Sequence, residues 1–313
     1  MVDLRVDLGR GLCLANPVMP ASGTFAEGLA KVIDLNGLGA LVTKTITAEL
    51  RGGNPTPRVA EVSNGMLNSI GIPSKGIDHF LDETLPFYRG FTAPLIVSIS
   101  APTVDDFARA AARLNVPGIA AIEANISCPN IEEDGKAFAM RPGTTEQAVA
   151  AMRKVTHLPL WAKLTPNTGD IAAVARAAEA AGADAVVVAN TILAMTIDIE
   201  TMRPTLGNIM GGLSGPAVKP ITLRMTYQCA RAVDIPVIGC GGIATASDAA
   251  EYLLAGARAV QVGTATFTRP GAMNEVIAGL MEYCRRKGFN SVAEVNGALN
   301  ADLLTHDVME AAQ

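Results

Sequence analysis

The chain has 313 residues, of which 49% are hydrophobic and 18% charged, and its formal net charge is −5. This hydrophobic content excludes an intrinsically disordered chain, and an acidic balance without a basic run argues against a nucleic-acid-binding protein. No run of about 18 apolar residues predicts a membrane span, and the first residues lack the apolar stretch of a secretory signal peptide. We therefore expect a cytoplasmic protein with neither a nucleic-acid nor a membrane partner.

Short apolar runs rich in Val, Ile and Ala predict eight strands, in chain order at 17–22, 39–47, 94–100, 119–127, 158–166, 183–191, 235–242 and 257–265. Ala-rich amphipathic stretches between most of these runs predict helices. Strand–helix alternation indicates a parallel sheet of the α/β class, and eight such units favour a (β/α)₈ TIM barrel. The main alternative, an open doubly wound sheet, is disfavoured because no G-x-G-x-x-G motif follows the first strand.

Residues suited to N-caps precede four of the predicted helices: Asp105, Thr144, Asp170 and Ser247. Glycines expected to end helices stand at positions 182 and 256. Residues 48–75, rich in Gly, Pro and Asn, predict a long insertion over the C-terminal mouth of the barrel, and residues 128–143 predict a mobile loop. We expect one domain over residues 1–313, with residues 289–313 as a peripheral C-terminal tail.

The cysteines are five in number and widely scattered, and the three histidines lie far apart in the sequence. No C-x-x-C spacing is present, so neither a disulfide framework nor an iron–sulfur cluster is expected within this chain. The histidines give no metal-binding pattern, and no metal is expected.

Glycine-rich turns end the last two predicted strands, GCGGI at 239–243 and QVGTA at 261–265. Glycines allow backbone N–H groups to approach an anion, and a helix N-terminus favours negative charge. Either turn alone could be an ordinary tight connection. Together, at strands seven and eight of a barrel, they predict a phosphate site.

Polar residues at other strand ends indicate further chemistry. Lys44 and Lys163 lie at the ends of apolar strands, where they either pair with structural carboxylates or serve an anionic ligand or cofactor. Cys128 follows the fourth strand and could be a nucleophile or a base, and the lack of a nearby histidine favours a base. Four asparagines suit a planar substrate rich in amide groups: Asn68, Asn125, Asn130 and Asn190.

Seven motifs carry a family resemblance: NGMLNSIGI, NISCPN, AKLTPN, ANT, GGLSGP, GCGG and VGT. In order and spacing they resemble the class 1 dihydroorotate dehydrogenases over residues 1–300, and most of all the catalytic subunit of the NAD-linked branch. The quinone-linked class differs, since it has Ser at the base position and an N-terminal membrane-associating segment. The resemblance implies FMN-dependent oxidation of (S)-dihydroorotate to orotate in pyrimidine (UMP) biosynthesis.

The resemblance also implies roles for individual residues. Cys128 would remove the C5 proton while the C6 hydrogen passes as hydride to FMN, and Lys163 would stabilise negative charge on the reduced flavin. Positions matching flavin contacts are Ser22, Lys44, Thr45, Asn125, Lys163, Ala189, Gly215, Gly241, Gly242, Gly263 and Thr264. Positions matching the orotate site are Lys44, Asn68, Ser69, Ile70, Gly71, Ile72, Asn125, Asn130, Asn190 and Thr191.

The resemblance also implies a homodimer, which would form part of a heterotetramer if a partner subunit is present. That partner would be an electron-transfer subunit carrying FAD and an iron–sulfur cluster and relaying electrons to NAD. Three positions depart from the family pattern: Ser98 replaces an expected Asn, Ala189 an expected Ile, and Pro73-Ser74 an expected Gln-Asn. The alternatives are an FMN oxidoreductase acting on another cyclic amide such as a dihydropyrimidine, a fumarate-linked dihydroorotate dehydrogenase, and a non-catalytic phosphate-ligand-binding barrel or subunit scaffold.

Overall fold

The structure, a computed structural model, describes residues 2–127 and 137–299. Its strands are β1 (Val6–Asp7), β2 (Cys13–Leu14), β3 (Val18–Pro20), β4 (Leu41–Val42), β5 (Leu50–Arg51), β6 (Val59–Val62), β7 (Gly65–Asn68), β8 (Ser74–Lys75), β9 (Leu95–Ile99), β10 (Ala121–Ala124), β11 (Leu160–Lys163), β12 (Ala185–Val188), β13 (Ile192–Ala194), β14 (Ile197–Asp198), β15 (Arg203–Pro204), β16 (Gly211–Ser214), β17 (Val237–Cys240) and β18 (Ala259–Val262). Its α-helices are α1 (Ile77–His79), α2 (Leu85–Tyr88), α3 (Val104–Arg113), α4 (Pro142–Arg153), α5 (Ile171–Ala180), α6 (Lys219–Ala230), α7 (Ala246–Leu254), α8 (Ala265–Thr268) and α9 (Ala272–Lys287).

Eight of the strands form one parallel sheet in the order β3-β18-β17-β12-β11-β10-β9-β4. The two ends of the sheet approach each other, since the Gly39 N–H donates to the Val18 carbonyl at 2.8 Å. A Cβ at position 39 would lie 2.0 Å from the Asn16 carbonyl oxygen, so this close approach requires glycine. The sheet therefore curls into a nearly closed barrel. Every predicted strand contains one of these eight, which confirms the predicted (β/α)₈ fold.

Burial on both faces explains why the barrel strands are continuous apolar runs. All residues of β10, β11 and β12 are buried, because helices cover the outer face and side chains fill the interior. The helices turn small residues towards the sheet, as in α5, where Val174, Ala175 and Ala178 are buried. Small side chains allow each helix to lie close to its strands.

The helix caps were predicted correctly at one of four sites. Asp170 caps α5, accepting from the Ala173 N–H at 3.0 Å. For α3 and α7 the cap lies two residues earlier than predicted, at Thr103 and Thr245, which accept from the N–H groups of residues 106 and 248. Thr144 lies inside α4, which begins at a proline. Glycines 182 and 256 follow helix ends with φ of +96° and +106°, as expected of helix-terminating glycines.

Two chain segments form a second sheet over the C-terminal mouth, with strand order β13-β16-β7-β6. We call these four strands the mouth sheet. Strands β6 and β7 come from the predicted insertion 48–75. Strands β13 and β16 come from residues 192–214, which were not predicted as an insertion. The two halves are joined by antiparallel pairing of β7 with β16, in which Leu67 lies opposite Leu213.

Two other predicted segments are described only in part. Of the loop 128–143, the structure describes 137–143, which contains a 3₁₀ turn at Phe138–Met140 and the start of α4. Of the predicted tail 289–313, the structure describes residues 289–299, and within these Val292 and Val295 are buried. The Val292 N–H donates to the Asp3 carbonyl at 2.8 Å. This part of the tail therefore packs against the first residues of the chain.

Candidate active site

A cavity of about 920 Å³ lies between the carboxyl ends of the barrel strands and the mouth sheet. Most residues predicted to bind a cofactor or substrate line it: Ser22, Lys44, Thr45, Asn68, Ile70, Gly71, Ile72, Asn125, Lys163, Ala189, Asn190, Thr191, Gly215, Gly241, Gly242, Gly263 and Thr264. The carboxyl ends of barrel strands converge at one mouth, which explains why residues so far apart in sequence meet here.

Three predicted site residues are not placed on the cavity wall. Cys128 and Asn130 lie outside the described residues. The Ser69 hydroxyl accepts hydrogen bonds from Asn54 Nδ2 at 2.8 Å and from Asn208 Nδ2 at 3.1 Å. Ser69 therefore ties together the loops that carry the mouth sheet.

Glycines at one end of the cavity form a cradle without side chains. Gly241, Gly242 and Gly215 have φ values of +135°, +67° and +96°, which side-chain-bearing residues rarely adopt. A Cβ on Gly242 would lie 2.9 Å from the Gly215 carbonyl oxygen, and a Cβ on Gly215 would lie 2.9 Å from the Gly65 Cα. Gly263 and Thr264 complete the cradle at the start of α8. Exposed backbone amides in this setting suit a phosphate group.

Lys44 supplies positive charge at the cavity wall. Its side chain is half-buried, and burial lowers the pKa of its ammonium group below the usual value of 10.5. Within residues 2–127 and 137–299, no side chain or carbonyl forms a hydrogen bond or ion pair with the Lys44 ammonium. A partly desolvated cation without a counter-charge favours an anionic ligand.

Lys163 is almost fully buried and reaches the cavity from inside the barrel. Its Nζ donates to Gln261 Oε1 at 2.9 Å and to Ser22 Oγ at 3.2 Å. Glu123 lies below it, with Oε1 at 3.7 Å from Lys163 Nζ. Sequence reasoning missed Glu123 and Gln261, although each was visible as a polar residue within an apolar strand. Cys240 also lines the cavity, and burial raises the pKa of its thiol.

Amide side chains form a hydrogen-bonded cluster across the cavity floor. Asn190 Nδ2 donates to Asn125 Oδ1 at 3.3 Å and to the Ser127 hydroxyl, which itself donates to Asn125 Oδ1. Asn125 Nδ2 approaches Thr45 Oγ1 at 3.5 Å. The cluster orients amide donors and acceptors in a fixed array, as recognition of a planar amide ring requires. It ends at Ser127, the residue before the predicted base.

The departures from the family pattern lie around this cluster. Ser98 is fully buried, and its hydroxyl forms a hydrogen bond of 3.0 Å with Thr45 Oγ1. Ser98 therefore contacts a cavity-lining residue without lining the cavity itself. Ala189 is on the cavity wall. Pro73 and Ser74 line a separate cavity of about 430 Å³, which shares Lys44 and Thr45 with the larger one.

Sequence reasoning missed other parts of the wall. Large or polar lining residues that were not predicted include Thr24, Val59, Met66, Leu213, Ser214, Phe267 and Arg269. Ser214 was present in the quoted GGLSGP motif, and its hydroxyl accepts from Thr264 Oγ1 at 2.9 Å. Over the described ranges, the structure has no cluster of His, Cys, Asp and Glu suited to a metal ion. Within the same ranges, every helix is too short or too polar to cross a membrane.

The structure is a (β/α)₈ barrel with a cavity at its mouth, and a glycine cradle and an amide cluster line this cavity. Residues 7–283 match the model of the family described as dihydroorotate dehydrogenase, and the chain belongs to this family. The family predicted from the sequence motifs is therefore confirmed.

Curated relatives cover nearly the whole chain. A protein of Desulforudis audaxviator is 50% identical over 291 residues, which is 92% of this chain and 95% of the relative. One of Trichlorobacter lovleyi is 48% identical over 299 residues, covering 95% and 98%, and one of a Thermoanaerobacter species is 46% identical over 303 residues, covering 96% and 100%. Each of these relatives is named the catalytic subunit of dihydroorotate dehydrogenase B (NAD(+)).

Proposed function

We propose that this chain is a catalytic subunit that oxidises (S)-dihydroorotate to orotate in pyrimidine biosynthesis, with FMN as its resident cofactor. The observation that carries the proposal is the single cavity in which a glycine cradle, two lysines and an amide cluster meet. The names of the relatives support the same reaction.

The residues present fit FMN. A Cβ at Gly215, Gly241 or Gly242 would lie between 2.5 and 2.9 Å from a neighbouring protein atom, so backbone without side chains lines the cavity here, which suits a phosphate. Lys163 and Ser22 form a polar wall further along the cavity, suited to hold the polar edge of the flavin ring. When bound, FMN supplies the acceptor for the hydrogen that leaves the substrate as hydride.

The remaining part of the cavity fits dihydroorotate. The substrate has a carboxylate and two ring amides, and the free charge of Lys44 matches the first of these. Asn68, Asn125 and Asn190 offer donors and acceptors for the amides. We propose Cys128 as the base that takes the C5 proton. It follows Ser127, whose side-chain hydroxyl belongs to the amide cluster.

The electrons leave through a partner subunit in this proposal. The relatives are named as the catalytic subunit of an NAD(+)-dependent enzyme, which supports a separate subunit for the reaction with NAD. Within the described residues this chain has no cysteine cluster for an iron–sulfur centre. We therefore assign FAD and the iron–sulfur cluster to the partner.

A second copy of the chain is proposed to cover the outer part of the mouth sheet and its β14–β15 hairpin. Large apolar side chains are exposed there: Leu193, Met195, Ile197, Ile199, Met202, Ile209 and Met210. A continuous run of exposed apolar side chains marks an interaction surface. The resulting homodimer would be the core of a heterotetramer with two electron-transfer subunits.

An anaerobic visible spectrum of the purified chain tests the reaction. We expect a flavin band that bleaches on addition of dihydroorotate and not on addition of dihydrouracil, which lacks the carboxylate. Bleaching by dihydrouracil alone would assign a different cyclic amide as substrate. A chain that takes up no FMN would refute the proposal.

Exchange of the proposed base tests its role. We expect Cys128→Ser to slow flavin reduction at neutral pH by about 10²- to 10⁴-fold, the usual contribution of general base catalysis, while FMN stays bound. Cys13→Ser is the matched control, because Cys13 is exposed and does not line the cavity. An unchanged rate in Cys128→Ser would refute the assignment.

Sedimentation of the isolated chain tests the homodimer. We expect Ile199→Asp to give monomers, because this side chain, 81% exposed in one copy, would be buried between two. Val32→Asp, which changes a 63% exposed side chain outside the mouth sheet, is expected to leave the dimer intact.

A further inference from the structure

A buried row of three hydrogen-bonded polar side chains crosses the barrel interior beneath the cavity. It consists of Glu123 on β10, Gln261 on β18 and Lys163 on β11, and none of the three is more than 3% exposed. In the barrel sheet, β10 and β18 are separated by three strands, so their side chains meet across the interior. Only Lys163 lines the cavity.

The hydrogen bonds that link these three side chains all run in one direction, from Lys163 through Gln261 to Glu123. Gln261 Nε2 donates to Glu123 Oε2 at 2.6 Å, and Lys163 Nζ donates to Gln261 Oε1 at 2.9 Å. The carboxylate can only accept and the ammonium can only donate, so each end dictates which side of the Gln261 amide faces it. With the amide reversed, its NH₂ group would face the ammonium. Glu123 therefore fixes the orientation that gives Lys163 an acceptor.

Glu123 also supplies the negative charge that a buried ammonium requires. A charge buried in a protein interior is costly unless it is paired with an opposite charge. Glu123 Oε1 lies 3.7 Å from Lys163 Nζ and has no hydrogen-bond partner among the described residues. Leaving a buried carboxylate oxygen without a donor is costly, and well-packed apolar residues often replace buried ion pairs without loss of stability. The pair is therefore weak evidence for a stabilising role.

We propose that Glu123, acting through Gln261, is a positioning residue that holds the Lys163 ammonium in place at the flavin site. This inference rests on the proposed function, because it concerns how the chain treats a bound flavin. Lys163 then presents a fixed positive charge to the cavity, and such a charge stabilises the reduced, more negative form of a flavin over the oxidised form. Glu123 itself does not line the cavity, so it acts through Lys163.

The midpoint potential of the bound flavin tests the proposal. In Glu123→Gln, Lys163 loses its counter-charge, and Gln261 is no longer held with its oxygen towards Lys163 Nζ, so the ammonium is no longer fixed at the flavin site. We expect the affinity for reduced FMN to fall at least tenfold relative to that for oxidised FMN, which lowers the midpoint potential by about 30 mV for a two-electron couple. A carboxylate that acted only through its own charge would give the opposite sign, because its removal would make the site more positive. An unchanged or raised potential therefore refutes the proposal.

A double-mutant cycle with Lys163→Met tests the route of action. If Glu123 acts through Lys163, the double variant shifts the potential no further than Lys163→Met alone. Additive shifts would refute this route. Thr226→Val is the matched control, since it removes another fully buried polar group, on α6, and is expected to leave the potential unchanged.

Gln261→Met provides a second variant should Glu123→Gln not fold. It leaves both charges in place and removes only the bridging amide, so we expect a downward shift smaller than that of Glu123→Gln. An unchanged potential in Gln261→Met would refute the bridging role. A wild-type chain that does not bind FMN would instead refute the proposed function. A wild-type chain reduced by dihydroorotate, with unshifted potentials in the variants, would refute this inference alone.

Discussion

Lys44 should lower the stability of the ligand-free protein. Its ammonium is partly desolvated and has no counter-charge within the described part of the chain, so the fold bears a cost that a ligand would offset. Lys44→Met keeps the length of the side chain and removes the charge. We expect the flavin-free variant to be more stable by about 1 kcal/mol, the usual gain when a destabilising functional residue is replaced.

The expected change in melting temperature follows from the size of the protein. With an unfolding entropy of about 2.1 cal/mol/K per residue, a chain of 313 residues gains about 1.5 °C for each kcal/mol. Differential scanning calorimetry of flavin-free protein measures this rise, and Lys31→Met, at an exposed lysine, is the control. Affinity for dihydroorotate should fall in the same variant, because the cationic partner of its carboxylate is lost.

The pH dependence gives a second check on Lys44. Its pKa is lower in the folded protein than in the unfolded chain, so the unfolded chain binds more protons between the two values. Wild-type stability therefore rises with pH through that window relative to Lys44→Met. The advantage of the variant should be full below the folded-state pKa and absent above about 10.5. A variant that melts below wild type at neutral pH would refute the reasoning.

Three further predictions concern the cradle, a helix cap and the barrel base. Gly242→Ala should weaken FMN binding at least tenfold in a fluorescence titration, because its Cβ would lie 2.9 Å from a backbone oxygen, whereas Gly143→Ala, with nothing within 4 Å, should not. Thr245→Ala should cost about 1 kcal/mol in denaturant unfolding through loss of the α7 capping box. Asp184→Asn should cost about 3 kcal/mol, because Asp184 pairs with Arg10 and Arg153, and should leave kcat unchanged.

The barrel could be predicted from the sequence because each of its strands is a local apolar run bounded by helical periodicity. The mouth sheet could be predicted only in part. Residues 48–75 are rich in turn-forming residues, but β16 pairs with β7 from that distant segment and with β13 on its other side. Pairing between distant segments leaves little local signal. The shifted caps have a similar cause, since any of several neighbouring Ser, Thr or Asp residues can cap a helix.

Site residues that belong to local sequence motifs could be predicted. Site residues whose role depends on hydrogen bonds to distant side chains could not. The glycine turns and Lys44 could be identified from local sequence, and the structure brings them to one cavity. Glu123 and Gln261 each stand alone within an apolar strand, and only the closed barrel shows that they bond to each other and to Lys163. Ser98 similarly acquires its contact with Thr45 only when neighbouring strands pair.

The mouth sheet has a consequence for synthesis of the protein on the ribosome. Asn68 hydrogen-bonds Gly212, 144 residues later in the chain. At about 5–20 residues per second, that partner emerges about 7 to 30 s after Asn68. Until then β6 and β7 are a two-stranded hairpin with a bare edge, which is marginally stable and open to pairing with other chains. The nascent protein can therefore capture its cofactor only after most of the chain has been translated.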